Sequence, residues 1–348
     1  MPMENRTLPE FIETGISLQP FNSFGLAGSS RYFCRVSTEP ALLSALNFAG
    51  QEKLPLLILG GGSNILLTRT FEGLTLRLEN RGIVYEFIRG NQVKIRVAAG
   101  ENWHELVLHC LQQGWYGLEN LSLIPGSVGA APMQNIGAYG VESGKFIDSI
   151  RYYHTEEKSW CEISGSDCRF GYRDSIFKNE LKGKAVIWEV CFILSLEPNL
   201  TLDYGDIRAV LEKQGIEHPS PEDVSRAVMH IRRSKLPDPA VLGNAGSFFK
   251  NPVISSSHYQ ELKQRWPEIP GYPQANNEEI KVPAGWLIEM AGWKGFRKGA
   301  CGVHEKQALV LVNFGNASGS DILSLAKDII SDVHNKTGIL LMPEVNIL

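Results

Sequence analysis

A run of glycines is the first segment whose residue types could do chemistry. The run Gly60-Gly-Gly-Ser-Asn64 follows the apolar stretch Leu54–Leu59, so consecutive backbone N–H groups and two short polar side chains come directly after a predicted strand. Such a nest can hold a pyrophosphate, because glycines let the backbone approach a ligand closely. The run is neither a G-x-G-x-x-G nor a Walker motif, and an ordinary flexible turn is favoured when it is taken alone.

A second segment, from Gly117 to Gly140, is full of glycine, alanine and proline but poor in charge. Exposed loops are usually more polar than this, so the composition suggests backbone that lies against something flat and uncharged. Within it, Pro125-Gly-Ser-Val-Gly129 is another small-residue loop that could meet a nucleotide. Two such loops favour a dinucleotide cofactor and close packing between domains about equally.

Arg173 and Ser247 are two polar side chains that could take part in a reaction. Arg173 is flanked by aromatic residues and could hold a carboxylate, although a surface ion pair with Asp174 is favoured from these residues alone. Ser247 precedes two phenylalanines and is not part of a G-x-S-x-G elbow, so hydrolase chemistry is not indicated. Its hydroxyl could donate a proton in a partly desolvated site, with a simple turn serine as the favoured alternative.

Two further charged features complete the candidates. Glu344 is a single carboxylate in the apolar C-terminal run, where it needs a partner if it is buried and none if it lies on an exposed strand edge. Arg232, Arg233 and Lys235 crowd the C-terminal end of a predicted helix, where they favour the helix dipole. Facing a cleft, the same cluster could bind the phosphates of NADPH or of a UDP-sugar.

A mixture of strands and helices must position these residues. Val93–Val97 alternates apolar and polar residues and predicts a half-buried strand, and Ala185–Leu196 contains a longer strand-like run. Helices are predicted after Asn102, after Ser220 and from about Asp321 to Lys336, each with helical apolar spacing and a capping or stopping residue. Because there is no regular β-α-β rhythm, we expect an α+β architecture rather than a doubly wound sheet.

The composition argues against several classes of protein. The 348 residues include 34 basic and 38 acidic ones, a net charge of −4, which argues against broad nucleic-acid binding but not against a small anionic ligand. The apolar runs are too short to span a bilayer, and the first eleven residues lack a signal-peptide core. Six cysteines without C-x-x-C spacing predict no metal site, and we expect a cytoplasmic protein with reduced thiols.

In their order along the chain, nine segments resemble the UDP-N-acetylenolpyruvoylglucosamine reductases, also called UDP-N-acetylmuramate dehydrogenases. The segments are Asn22–Gly25, Gly60–Asn64, Ile124–Gly129, Gln134–Gly140, Cys168–Ser175, Lys235–Pro239, Gly243–Pro252, Ala284–Ile288 and Pro343–Val345. Each is a weak signal alone, but nine in the family's order are highly specific. The resemblance covers nearly the whole chain, from about Phe21 onward.

This resemblance implies an α+β, FAD-binding fold of the vanillyl-alcohol-oxidase (PCMH) type with an additional C-terminal domain. Residues 1–80 and 81–232 are predicted to form two FAD-binding subdomains, and residues 233–348 an α+β substrate-binding domain. FAD is implied as a non-covalent cofactor and NADPH as the hydride donor. The residues assigned to FAD by the resemblance are Gly60, Gly61, Gly62, Ser63, Asn64, Pro125, Gly126, Ser127, Gly129, Asn135, Gly137 and Tyr139.

By the same resemblance, NADPH reduces the flavin and leaves, and enolpyruvyl UDP-N-acetylglucosamine is then reduced to UDP-N-acetylmuramate. Arg173 and Glu344 would stabilise enolate-like charge next to the substrate carboxylate, and Ser247 would give the proton to the adjacent carbon. Fixed donors are the best match for charge that exists only in the transition state. Tyr204 matches a subtype whose tyrosine loop folds over bound UDP. The other positions matched to the substrate or the nicotinamide nucleotide are Arg232, Lys235, Asn251, Tyr272, Lys294 and Gln307.

The chain departs from the family pattern after Glu344. The family often has Leu-Glu-Pro-Glu-Val-Arg near its end, whereas this chain has Leu341-Met-Pro-Glu-Val-Asn346. The glutamate is retained but the arginine is lost, so a difference in packing around Glu344 is expected. The implied partners are small molecules only, the UDP-sugar and NADPH, with no nucleic acid and no membrane, and the enzyme is expected to be monomeric.

Three other functions compete with this interpretation. An oxidase on the same scaffold often attaches FAD covalently through a histidine or cysteine, and the glycine loop here has neither. A nucleotide-sugar-binding regulator without activity should have lost one of Arg173, Ser247 and Glu344, and all three are present. An unrelated α+β hydrolase is the most distant alternative. The preference for NADPH over NADH and the kinetic order do not follow from the sequence.

Overall fold

The chain divides into two compact units in the computed structural model, which describes residues 8–274 and 278–348. Unit 1 consists of the described part of Met1–Ile16 together with Ser30–Gly61 and Phe71–Arg232. Unit 2 consists of Ser17–Ser29, Gly62–Thr70 and Arg233–Leu348. Most of the N-terminal stretch that argued against a signal peptide lies outside the described residues.

Helices and strands are distributed along the whole described chain. The helices are α1 (Glu39–Gln51), α2 (Trp103–Gln112), α3 (Ile207–Lys213), α4 (Pro221–Lys235), α5 (Ser256–Arg265), α6 (Ala284–Met290) and α7 (Gly319–Thr337). The strands are β1 (Glu13–Ser17), β2 (Ser29–Val36), β3 (Leu56–Leu59), β4 (Ile65–Leu66), β5 (Phe71–Leu78), β6 (Ile83–Ile88), β7 (Gln92–Ala98), β8 (Gly137–Ala138), β9 (Val141–Glu142), β10 (Ile147–His154), β11 (Ser159–Ser164), β12 (Ala185–Ser195), β13 (Gly243–Ser247), β14 (Val253–Ser255), β15 (Tyr272–Pro273), β16 (Glu279–Lys281), β17 (Arg297–Lys298), β18 (Cys301–Val303), β19 (Val310–Asn313) and β20 (Asn346–Ile347).

Unit 1 is built on two sheets. The first has the strand order β1-β2-β5-β3, with β5 parallel to both β2 and β3. The second is antiparallel, with the order β11-β10-β12-β7-β6. Both sheets, α1 and α2 contribute to one apolar core, and a smaller apolar cluster joins α3 to α4. The mixture of parallel and antiparallel strands with few helices confirms the expected α+β architecture.

Local sequence signals account for the helix ends in both units. Asn102 accepts a hydrogen bond from the Glu105 N–H and caps α2, as predicted. At the start of α4, Ser220 and Asp223 exchange side-chain and backbone hydrogen bonds, which form a capping box. The last helix, α7, begins slightly earlier than predicted because Ser318 provides its cap, and it ends at Gly338 with φ +70°.

Unit 2 has smaller sheets around a core of its own. Strands β13-β19-β18-β17 form an antiparallel sheet, β14-β16-β15 form another, and β20 lies parallel to β4. Buried side chains of α5, α6 and α7 share one apolar cluster with residues of the β13 sheet. No helix of the described ranges is long and apolar enough to cross a membrane.

Two other sequence expectations can be compared with the structure. The segment from Gly117 to Gly140 contains only short 3-10 turns and the two-residue strand β8, in agreement with its lack of periodicity. Cys110 and Cys191 are buried as predicted, and burial raises the pKa of the Cys110 thiol to about 12. Such a thiol stays protonated at neutral pH and behaves as a small apolar side chain.

Candidate active site

In unit 1, the start of the glycine run lies against the Pro125–Gly129 loop. A methyl group placed on Gly61 would lie 2.7 Å from the Cα of Gly126, and one placed on Gly60 would lie 2.1 Å from the Ser127 Oγ. The Gly126 carbonyl accepts a hydrogen bond from the Trp103 N–H at 3.1 Å, which ties the loop to the first residue of α2. Only glycine therefore fits where these two backbones approach.

The polar groups of these loops differ in what they offer to a ligand. The Gly61 N–H and the Ser127 hydroxyl form no hydrogen bond with another residue of the described ranges. By contrast, the Gly129 N–H donates to the Ala99 carbonyl at 2.9 Å, and a methyl group on Gly129 would meet the Ala99 Cβ at 2.6 Å. Gly129 is therefore packed closely against Ala99, whereas Gly61 and Ser127 have donors that no described residue uses. The assignment of all three to FAD stays a prediction.

The loop Gln134–Gly140 is held in place largely by Asn135, which has φ +44° and is buried. Its Nδ2 donates to the Glu142 carboxylate at 2.7 Å and to the Gly171 carbonyl at 3.1 Å, and its Oδ1 accepts from the Gly144 N–H at 2.8 Å. The amide of Asn135 is thus used to shape the loop. Sequence reasoning assigned this residue to the cofactor, and that assignment stays a prediction.

Arg173 is fixed next to the same loop. Its Nη2 donates to the Gly137 carbonyl at 3.0 Å, and its own carbonyl accepts from the Lys178 ammonium at 3.2 Å. Its backbone has φ +54°, a conformation that side-chain-bearing residues seldom adopt and that often marks a functional position. The Arg173 guanidinium is therefore positioned by the backbone of the predicted flavin-binding loop.

Arg232, near the end of α4, is a second guanidinium of unit 1 within electrostatic range of Arg173. Burial lowers the pKa of Arg232, the neighbouring Tyr139 opposes this, and the positive charge of Arg173 lowers the pKa further. The buried Arg232 Nε has no hydrogen-bond partner among the described residues. Two like charges with an unsatisfied buried donor indicate affinity for an anion.

Tyr204 lies in a loop that approaches the turn at Tyr139 and Gly140. A methyl group on Gly140 would lie 3.2 Å from the Tyr204 Cβ, and one on Gly205 would lie 3.4 Å from the Tyr139 ring. Tyr204 itself is 59% exposed. The structure thus brings together four of the predicted residues of unit 1, namely Gly137, Tyr139, Arg173 and Arg232, with the Tyr204 loop beside them.

In unit 2, Ser247 is the last residue of β13. A β-bulge precedes it, since the pairing with β19 shifts between Asn244 and Ser247, and Gly246 has φ +69°. The buried Asn244 side chain fixes the bulge by accepting from the Gly246 N–H at 2.9 Å and donating to the Leu242 carbonyl at 2.8 Å. The Ser247 side chain is exposed, and its hydroxyl bonds to no other residue that the structure describes.

The segment around Glu344 pairs with the chain that follows Ser247. The Glu344 N–H donates to the Phe248 carbonyl at 2.8 Å, and the Lys250 N–H donates to the Met342 carbonyl at 2.9 Å. The Asn64 Nδ2 donates to the Glu344 carbonyl at 3.4 Å. This half-buried glutamate is therefore held from both sides by backbone contacts within unit 2.

The departure from the family pattern at Asn346 has a structural outcome. Both the backbone N–H and the Nδ2 of Asn346 donate to the Asn64 carbonyl, at 3.1 and 3.0 Å. Val345 is 5% exposed, and β20 continues as the partner of β4. Asparagine therefore anchors this segment through hydrogen bonds to the end of the glycine run, next to Gly62 and Ser63. Gly62 cannot be replaced easily, because a methyl group there would lie 1.8 Å from the Phe21 carbonyl oxygen.

The remaining residues matched to the substrate lie in unit 2 and differ in exposure. Lys235 and Tyr272 are exposed, and the Lys294 ammonium pairs with Glu289 at 2.8 Å. The Asn251 Oδ1 accepts from the Ala284 N–H at 2.9 Å and so caps α6, which leaves its Nδ2 for other contacts. Gln307 is half-buried in the turn before β19.

Sequence reasoning missed two buried asparagines that organise these loops, Asn120 and Asn244. Each is at most 2% exposed and bonds to backbone groups. The signal that could have found them is a polar residue inside an apolar, small-residue segment, since a buried amide needs partners. The identity of those partners is not encoded locally.

Two family models match parts of this chain, and full-length relatives match nearly all of it. The model described as UDP-N-acetylenolpyruvoylglucosamine reductase, C-terminal domain, matches residues 238–348, and the model described as FAD binding domain matches residues 30–155. The UDP-N-acetylenolpyruvoylglucosamine reductases of Pseudomonas syringae pv. syringae and Chromobacterium violaceum are each 48% identical to it, over 97% and 96% of this chain and 98% of each relative.

A solved structure shows the same fold. The chain matches the UDP-N-acetylenolpyruvylglucosamine reductase of Thermus caldophilus with a TM-score of 0.66 and 22% identity, over 97% of this chain and 98% of that one. This likeness, with the match to the FAD binding domain, confirms the predicted flavoprotein fold with its C-terminal domain. Because relatives with 48% identity cover 96–97% of this chain, the chain belongs to the family of UDP-N-acetylenolpyruvoylglucosamine reductases.

Proposed function

We propose that this chain catalyses the NADPH-dependent, FAD-mediated reduction of UDP-N-acetylglucosamine enolpyruvate to UDP-N-acetylmuramate, a step of peptidoglycan precursor synthesis. The observation that carries the proposal is the 48% identity to reductases of that name over 97% of the chain. The matched C-terminal family model, over residues 238–348, contains Ser247 and Glu344, two of the three residues assigned to the reaction; the third is Arg173.

The residues of unit 1 fit FAD as the cofactor. The approach of Gly61 to Gly126 leaves room only for backbone, and the Gly61 N–H and the Ser127 hydroxyl are available donors. These are the features that a pyrophosphate requires of its binding loop. When bound, FAD would accept a hydride from NADPH and supply it to the enolpyruvyl group. Gly60, Gly61, Pro125, Gly126 and Ser127 would hold its pyrophosphate, with Gly62, Ser63 and Asn64 continuing the same run.

Arg173 is proposed to bind the substrate carboxylate and to stabilise the negative charge that develops beside it. A guanidinium suits this role because its planar donors match a carboxylate and stay charged at every working pH. The hydrogen bond to Gly137 and the left-handed backbone of Arg173 fix the group before substrate arrives, so little reorganisation is needed. Arg232 adds a second positive charge and is proposed to bind an anionic group of the substrate or of NADPH.

Ser247 is proposed to donate the proton that completes the reduction, and Glu344 to stabilise charge during that step. The Asn244-braced bulge presents the Ser247 hydroxyl at a strand end, where it has no competing bond within the described ranges. A directed hydroxyl of this kind can deliver one proton to one face of a carbon. The backbone bonds of Glu344 to Phe248 and Asn64 fix the position from which its carboxylate acts.

The finer assignments extend this proposal. Tyr204 would place the enzyme in the tyrosine-loop subtype, and Lys235, Asn251, Tyr272, Lys294 and Gln307 would line the nucleotide substrates. The proposal also divides the chain into two FAD-binding subdomains, residues 1–80 and 81–232, and a substrate-binding domain, residues 233–348. We further propose that the enzyme is cytoplasmic, since both substrates are nucleotides, and that it is monomeric. Light scattering on the purified protein would test the monomer.

One spectroscopic experiment tests the function directly. The purified protein should show a flavin spectrum that bleaches when NADPH is added without oxygen. Colour should then return when enolpyruvyl UDP-N-acetylglucosamine is added anaerobically. Recovery only in air would leave a flavin reductase with another substrate, and a colourless protein that FAD does not reconstitute would overturn the proposal. Replacing NADPH by NADH in the same experiment measures the preference between them.

A further inference from the structure

Asn120 connects two segments of unit 1 that the proposed function uses. Its Nδ2 donates one hydrogen bond to the Tyr139 carbonyl at 3.0 Å and the other to the Thr201 carbonyl at 2.9 Å. Tyr139 lies in the predicted flavin-binding loop, and Thr201 begins the loop that carries Tyr204. Asn120 is 1% exposed, and both bonds reach residues that are partly buried.

The segment that holds Asn120 is itself fixed by hydrogen bonds. The Trp103 indole N–H donates to the Leu121 carbonyl at 3.0 Å, and the Gly117 N–H donates to the Glu119 carboxylate at 2.7 Å. The Ser122 hydroxyl lies 2.8 Å from that of Ser225 on α4, the helix that carries Arg232. A fixed platform therefore presents the Asn120 amide.

The Tyr204 loop is packed at its start and exposed beyond it. Leu200 and Leu202 pack against the apolar cluster of α3 and α4, which secures the start of the loop. Beyond them, Tyr204 is 59% exposed, and the ion pair between Asp203 and Arg208 lies at the surface. Exposed ion pairs hold a loop weakly. The Asn120 amide is thus a buried, directional link between the loop and the Tyr139 turn.

We propose that Asn120 is a positioning residue that keeps the Tyr204 loop in the conformation that binds the UDP moiety. The inference rests on the proposed function, because it takes the Tyr204 loop as the part that covers UDP. Apparent affinity falls in proportion to the fraction of molecules in the binding-competent conformation. Loss of the two bonds lowers that fraction and leaves two partly buried carbonyls to find other donors.

The test compares Asn120→Asp with a matched control, Asn80→Asp. Both asparagines are buried, and the Asn80 Nδ2 also donates to a backbone carbonyl, that of Trp188 at 2.9 Å. Each substitution keeps the shape and replaces the two amide donors by a carboxyl group, which can donate at most one hydrogen bond. In calorimetry with UDP as the probe, the Kd should rise about tenfold or more for Asn120→Asp. For Asn80→Asp it should stay within twofold of wild type. If the aspartate variant does not fold, the same measurements are made on Asn120→Ala, which buries no carboxylate.

Hydrogen exchange provides a readout that does not depend on activity. Amides of residues 201–206 should exchange faster in the Asn120 variant than in wild type, and those of the Asn80 variant should not. In steady state, KM for the UDP-sugar should rise about tenfold while the rate of flavin bleaching by NADPH stays within twofold of wild type. Equal UDP affinity and equal exchange in the Asn120 variant and wild type would overturn the inference. A wild-type protein that neither binds UDP nor recovers colour with the sugar would instead overturn the proposed function.

Discussion

Replacing Gly61 by alanine tests whether the two loops of unit 1 hold FAD. The new methyl group would lie 2.7 Å from the Gly126 Cα and 3.2 Å from its carbonyl carbon. Carbon atoms pack at about 3.5–4.0 Å, so one backbone must move by about 1 Å. Neither contact is a flexible side chain that could turn away. Overpacking of this kind costs about 1–3 kcal/mol.

The position of Gly61 decides where that cost falls. Gly61 is exposed, so the apoprotein can relax the loops apart, whereas a bound pyrophosphate requires both loops in place. We therefore expect the Kd for FAD to rise by about five- to 150-fold, since each 1.4 kcal/mol is a factor of ten. Fluorescence titration of the apoprotein with FAD measures this Kd.

Gly50→Ala is the matched control for this substitution. Gly50 lies in α1, and a methyl group there would meet nothing within 4 Å. Alanine should stabilise the helix by up to about 1 kcal/mol and leave FAD affinity unchanged. If Gly61→Ala binds FAD within twofold of Gly50→Ala, the two loops do not form the pyrophosphate site.

Three other predictions address the reaction and the fold. Ser247→Ala should leave flavin bleaching by NADPH near normal but slow the recovery of colour by the sugar at least a hundredfold, as stopped-flow absorbance would show; equal losses in both half-reactions would refute the proton-donor role. Tyr204→Ala should weaken UDP binding about tenfold while FAD stays bound, and unchanged UDP affinity in calorimetry would reject the loop's role. Hydrogen bonds from Ser220 hold the pKa of Asp223 below its usual range, so its stabilising effect is present above the ordinary aspartate pKa and is lost as pH falls through the lowered value. Asp223→Asn should therefore reduce the free energy of unfolding by about 1 kcal/mol at pH 7 and by much less at pH 2, measured by urea denaturation, and an equal loss at both pH values would contradict this.

Elements with local signals were the ones that the sequence alone could predict. The start of α2 follows from Asn102, and the start of α4 follows from Ser220 and Asp223, because a helix cap bonds to residues two or three positions away. Strand β7 follows from simple alternation of apolar and polar residues. These signals need no knowledge of the rest of the chain.

The candidate site could not be assembled in this way. From single segments, a surface ion pair was favoured for Arg173 and a turn for Ser247, and only their order along the chain pointed to a shared function. The partners of Asn120 lie 19 and 81 residues away in the sequence, and no periodicity encodes such a pairing. The role of Asn346 depends in the same way on Asn64, 282 residues away. Long-range polar contacts are determined by the whole fold. An asparagine in an apolar segment therefore indicates that its amide needs a partner, but not which residue provides it.

The pairing of β20 with β4 has a consequence for how the protein folds during synthesis. The Thr68 hydroxyl donates to the Leu348 carbonyl, 280 residues away in the sequence. Strand β4 therefore cannot pair with β20 until those residues have been synthesised. At translation rates of about 5–20 residues per second, β4 remains without its partner for roughly 15–55 s. All residues of unit 1 precede Arg233 in the chain, so this unit can form meanwhile, whereas a nascent chain cannot yet have Glu344 in place. Slow synthesis or early release of the chain should therefore expose the apolar core of unit 2 to chaperones and proteases.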